Sequence, residues 1–78
     1  MAWDVGETGA TAKITRRAAE RLRAGSLWVY RSDVERVQPA ELAGGALVTV
    51  VDGRGIPLGT ALYSDASEIA LRMVSRQA

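Results

Sequence analysis

The tetrapeptide Asp52-Gly53-Arg54-Gly55 constrains this chain more than any other segment. It is a hairpin turn signal, preceded by Leu47 to Val51, a run of the buried-strand type, and followed by Ile56, Leu58, Thr60 and Leu62, which alternate onto one face of a returning strand. Strand patterns recur on both sides of it. Ala12 to Thr15 can form a short strand, Leu27 to Tyr30 is apolar and aromatic, and Asp33 to Val37 alternates charge with Val34 and Val37 until Pro39 breaks it. The connection PAELAGG reads as a turn or a single helical turn. After the hydroxyl-rich loop Ser64-Asp65-Ala66-Ser67, the residues Ile69, Leu71 and Met73 share a face, which sends Arg72 to the other side. Helical spacing appears in one place. Arg16 to Ala24 puts Ala18, Ala19 and Leu22 on one face, with Gly25 placed to end the helix. Five or six short strands and one short amphipathic helix predict a mainly β (α+β) fold, a small closed or partly closed barrel. The first eleven residues have no period and are expected to be a flexible arm, from which Trp3 could still dock, ahead of a domain spanning 12–78.

Length and composition limit the chemistry. In a chain of 78 residues only about 60 to 65% of the unfolded surface can be buried, so the core is small. There is no Cys, hence no disulfide and no thiolate metal site, and no His, which removes the commonest general base and zinc ligand. Such a chain suits a reducing cytoplasm. The longest apolar run, Ala46 to Val51 with one Thr, is far below the about 18 to 20 residues that span a bilayer, and the N-terminus lacks a basic segment followed by an apolar core. Carboxylate pairs such as Asp33 with Glu35 or Asp65 with Glu68 have no His, Cys or oxyanion donor beside them, which argues against a stand-alone enzyme.

Charge is unevenly spread. Lys13 to Arg31 carries six basic residues against Glu20 alone, a local +5 inside a chain of net charge +1. Arg21 and Arg23 fall near the helix C-terminus, where cations are favourable, but Arg16 and Arg17 fall in the first turn, where the helix dipole disfavours them by about 0.3 to 1 kcal/mol each. A local rule broken without visible gain points to a binding use. Trp28 and Tyr30 lie within the same stretch, adding flat faces on which an unpaired base can stack. The competing reading makes this stretch a solvated helix followed by a core Trp28, the large anchor that a chain without Phe requires. Glycines 53, 55 and 59 read as turn and packing positions, since no helix N-terminus follows them.

The segments RLRAGSLWVYRSDVERV, AGGALVTVVDGRGIPLGTALYS and SDASEIALRMV, in this order, resemble the N-terminal PUA-like domain of the S-adenosylmethionine-dependent cytosine-5 methyltransferases of large-subunit ribosomal RNA. The likeness runs from about Ala12 to Val74. That family shows an Arg/Leu-rich helix, a Gly-His-Pro-Trp-Val/Ile-Phe/Tyr segment, a Gly-x-x-Val strand with an Asp-x-x-Gly turn, and a Ser-x-Ile-x-x-Arg close. Gly25, Trp28, Val29, Tyr30, Gly45, Val48, Asp52, Gly55, Gly59, Tyr63, Ser67, Ile69 and Arg72 stand at those places. Ser26-Leu27 replaces the usual His-Pro, and Asp65 stands where Pro is common.

The resemblance implies a PUA-like pseudobarrel that docks ribosomal RNA for a class I methyltransferase domain in cis. S-adenosylmethionine is expected in that domain and no cofactor in this chain, which has neither a Gly-x-Gly-x-Gly turn nor a Cys to add to C6 of cytosine. The chain itself is expected to be a non-catalytic fragment of such an enzyme. Basic residues, aromatics and resemblance together give a candidate RNA-contacting set of Lys13, Arg16, Arg17, Arg23, Tyr30, Arg31, Tyr63, Ser67 and Arg72. Tyr30 and Tyr63 fit a stacking role or a core role equally well, and a cross-strand pair with Glu68 or Asp65 accounts for Arg72 as readily as RNA does. The alternative function is a protein-interaction or structural barrel without a nucleic-acid role.

Overall fold

The computed structural model describes residues 9–76. Its elements are β1 (Thr11–Ile14), α1 (Arg16–Arg23), β2 (Trp28–Tyr30), β3 (Val34–Gln38), β4 (Leu47–Val51), β5 (Pro57–Tyr63) and β6 (Ile69–Ser75). One 3-10 turn, Arg31–Asp33, links β2 to β3. The six strands form one sheet in the order β2-β6-β5-β4-β1-β3, antiparallel except for the β1/β4 pair. This is the mainly β fold with one helix that the strand pattern predicts. Residues 1–8, most of the expected arm and its Trp3, lie outside the described residues. The strand region opens slightly earlier than expected: Thr11 begins β1, and Ala10 is already buried.

Chain connectivity forces the sheet to curl. Its two edges, β2 and β3, are separated only by Arg31–Asp33, a link that reaches at most about 14 Å when extended. Six strands lying flat would set those edges about 24 Å apart. The sheet therefore closes on itself into a half-barrel, and residues that line its inside must be small. Ala12, Ala61, Ala70 and the fully buried Val48 and Val50 supply that lining, with Ile14, Val29 and Leu71 as its larger members. Helix α1 closes one opening by burying Ala18, Ala19 and Leu22 in the same cluster, the face read from its spacing. Thr15 caps it, accepting at Oγ1 from Ala18 N–H at 3.1 Å, and Gly25, at φ +115°, reverses the chain after it.

Two expectations fail. Trp28 is not a core anchor: it is 43% exposed, because Val29 takes the inward position on β2 and an interior lined by alanines has no room for an indole. Likewise the alternating set on β5 is not its buried face. Ile56 and Leu62 are exposed, whereas Gly59 and Ala61 are fully inward. The register shift between Val50 and Val51 leaves Leu58 as an extra residue opposite β4, and this bulge sharpens the bend. Gly59 permits the close crossing of β6 over β5. It has φ +154°, and a Cβ there would collide with the Ser75 carbonyl oxygen and lie 2.7 Å from Met73 Cε.

Gly59→Ala is accordingly expected to cost about 1 to 3 kcal/mol in urea-induced unfolding, while Gly53→Ala, whose Cβ would meet nothing within 4 Å, should leave the transition within about 0.5 kcal/mol.

Candidate nucleic-acid interface

Four arginines in the eight residues of α1 make it the most cationic element of the chain. Two buried carboxylates hold it. Asp33, 3% exposed, sits beneath the helix start, where its Oδ1 accepts from Thr15 Oγ1 at 3.2 Å and from Arg17 Nη2 at 3.3 Å. Arg21 Nη1 approaches its other oxygen at 3.5 Å, and the Asp33 carbonyl accepts from Thr15 N–H at 2.9 Å. Arg17 thus has a partner that compensates its unfavourable place in the first turn. Arg16 has a weaker one, Glu20 at 3.3 Å, in a pair with both side chains largely in solvent, of a kind that contributes about 0.3 to 0.5 kcal/mol.

At the other end of α1, Arg23 Nη2 donates to Asp52 Oδ2 at 2.9 Å. The Oδ1 atom of Asp52 accepts the N–H groups of Arg54 at 2.8 Å and Ile56 at 3.0 Å, so one carboxylate both closes the β4–β5 turn and tethers the helix. Burial alone pushes this carboxyl up, but the Ile56 N–H, the Arg23 guanidinium and the Arg54 N–H outweigh it and hold Asp52 below its ordinary 3.8.

The remaining candidates divide by what already occupies them. Arg31 is spent on the fold: its Nη2 donates to the carbonyls of Ser64 and Ser67, both at 2.6 Å, and its Nε to Ser67 at 2.9 Å. It latches the loop before β6, a structural use that stands beside the RNA contact expected of it. The Ser67 hydroxyl accepts from Ile69 N–H at 3.1 Å and belongs to the same loop closure. Tyr63 is half-buried against the core, where packing accounts for it. Tyr30 is different. With Trp28 it points outward from edge strand β2, and each is 43% exposed.

Lys13 and Arg72 keep their cationic ends without an ion pair to any described residue. Arg72 pairs in register with Trp28 on one side and Leu62 on the other, so indole, guanidinium and Leu62 form one exposed row that continues to Leu47. Lys13 stands directly opposite Arg36 across β1/β3, a like-charge pair of the kind that destabilises a sheet by up to about 1 kcal/mol. Sequence reasoning passed over Arg36 and Arg54. Arg36 alternates inconspicuously with Glu35, and its juxtaposition with Lys13 depends on a pairing between residues 23 positions apart. Arg54 reads as a turn residue. Only the fold sets it across from α1.

A family model described as a PUA-like domain matches residues 12–76. The chain belongs to that family, whose members generally bind RNA and are not catalytic by themselves. No curated protein matches the chain at a significant level. Among the described residues, no helix is long and apolar enough to cross a membrane and no group of acidic side chains could hold a metal ion.

The lowered pKa of Asp52 makes stability depend on pH. Because the folded carboxyl binds its proton less readily than the unfolded one, its contribution is complete above the unfolded value and is lost as the pH falls through the folded value. In unfolding titrations from about pH 6 to 2.5, Asp52→Asn should be less stable than wild type at the upper end and show a shallower decline toward the lower end.

Proposed function

We propose that this domain docks RNA, specifically large-subunit ribosomal RNA, for a class I S-adenosylmethionine-dependent cytosine-5 methyltransferase domain carried in cis in the cytoplasm. The observation that supports it most is the uncompensated pair Lys13/Arg36 on the outer face of a PUA-like sheet, with Lys13 three positions before the arginine-rich start of α1. Folding alone gives no return for placing two cations opposite each other, whereas a phosphate between them relieves their repulsion. Trp28 and Tyr30 on edge strand β2 add faces for unpaired bases. The methyl-transfer chemistry belongs to the neighbouring domain. A chain without Cys has no nucleophile for C6 of cytosine.

The row Leu47-Leu62-Arg72-Trp28 favours a second reading, in which the outer sheet face packs against a protein surface and the domain has no nucleic-acid role. Salt dependence separates the two. RNA docking through phosphates should weaken with a log–log slope of about −0.7 per contact with a single strand, and Arg36→Ala should lower RNA affinity about three- to tenfold while leaving the melting temperature unchanged or slightly raised. Opposite signs in the two measurements support the RNA reading. Absence of RNA binding at low salt, or loss of stability in Arg36→Ala with RNA affinity intact, refutes it.

A further inference from the structure

A cavity of about 430 Å³ opens between α1 and the β4–β5 turn, walled by Arg16, Glu20 and Arg23 on the helix side and by Asp52, Gly53 and Arg54 on the turn side. Its walls bring together three guanidinium groups that the sequence places in two distant segments. We propose that it is a phosphate-binding pocket for RNA, with Arg54 as the principal ligand and Arg16 as the second; this rests on the RNA-docking reading above.

The partners already present show which charges are available. Asp52 is fully used, accepting from Arg23 and from the N–H groups of Arg54 and Ile56. Arg23 is its counter-ion. Glu20 pairs with Arg16 at 3.3 Å, but this pair is among the most exposed contacts of the chain, and Arg16 can exchange it for a phosphate at little cost. Arg54 makes no ion pair and no side-chain hydrogen bond with any described residue. Its backbone N–H, by contrast, is fixed at 2.8 Å on the buried Asp52 carboxylate. The guanidinium is therefore free at its tip on a root held in place, and its planar fork matches two phosphate oxygens at once.

The shape fits as well. Ala19 forms the back of the cavity with the smallest side chain that still faces the core, and Gly53 leaves the mouth open, since a Cβ there would meet nothing within 4 Å. The volume exceeds that of a phosphate and leaves room for part of its sugar. With Asp52 neutralised by Arg23 and Glu20 by Arg16, the cavity carries one net positive charge, that of Arg54. A single anionic phosphate cancels it.

The test is fluorescence anisotropy of a labelled single-stranded oligoribonucleotide of mixed sequence against the full chain, in 5′-phosphorylated and 5′-hydroxyl forms. Arg54→Ala should weaken binding roughly five- to tenfold and reduce the salt slope by about 0.7, and Gly53→Asp, which sets a carboxylate at the mouth, should weaken it at least as much. Both variants should keep the wild-type melting temperature, because neither position is packed. A deficit confined to the 5′-phosphorylated strand assigns the pocket to a terminal phosphate, and an equal deficit with both strands assigns it to the backbone. If both variants bind as wild type while Arg36→Ala does not, the pocket proposal is overturned and RNA docking stands. If wild type binds no RNA at low salt, both fall.

Discussion

The fold depends on two carboxylates that are buried beneath a cationic helix. A helix with arginines at positions 16, 17, 21 and 23 would repel itself and sit poorly on an apolar opening. Asp33 and Asp52 lie under its two ends, each largely removed from water and each supplied with more than one donor. Removal of either carboxylate would take the shared acceptor from several part-buried donors at once, Thr15, Arg17 and Arg21 around Asp33 and Arg23 with the Arg54 and Ile56 N–H groups around Asp52. No buried side-chain nitrogen or oxygen among the described residues lacks a partner, so this polar layer is complete.

The same two residues stand at the links on which the topology turns. Asp33 ends the short link that brings the edge strands together, and Asp52 begins the hairpin turn opposite it. Curling the sheet and seating the helix are thus coupled. A core lined by alanine and valine follows, because a tightly curled sheet leaves little space within it. Larger apolar side chains are displaced outward. The exposed Trp28, Leu47 and Leu62 are the consequence, and they give the domain an outer surface unlike that of an ordinary solvated sheet.

Much of the fold was legible in the sequence because the signals were local. The Asp52 to Gly55 turn, the apolar face of α1 and the glycine after it depend on neighbours within a few residues, and each is found where expected. Inward and outward faces of β5 were not legible. A one-residue bulge reverses the alternation, and nothing local marks Leu58 as the extra residue. The exposure of Trp28 is not legible either: its size suggests burial, whereas the diameter of the interior follows from a closure that links distant strands. Among the candidate site residues, the sequence identified the cationic stretch but not which cations were already used. Arg31 and Arg17 serve as structural donors through partners 16 to 36 residues away. Arg36 acquires meaning only opposite Lys13.

Sorting the cations by partner changes the scale of any RNA interaction. The local charge of the 13–31 stretch suggests a strong polyelectrolyte surface, yet Arg17, Arg21 and Arg23 are committed to buried acids and Arg31 to carbonyls. Arg76 likewise donates to the Leu22 and Ser26 carbonyls, so Lys13, Arg36, Arg54 and Arg72 remain without an ion pair or side-chain hydrogen bond to a described residue, with Arg16 held only by an exposed pair. Four or five phosphate contacts imply a total salt slope near −3 for a single strand and modest affinity for the domain alone. Under the proposed role, a domain of this kind gains its effect from linkage. Once a tethered catalytic domain touches the same RNA, the second contact becomes intramolecular, and weak docking raises avidity without slowing release of the product. Committing Arg17, Arg21, Arg23 and Arg31 to folding suits that proposed task, since it leaves a surface that binds RNA weakly by itself and more firmly when linked to a neighbour.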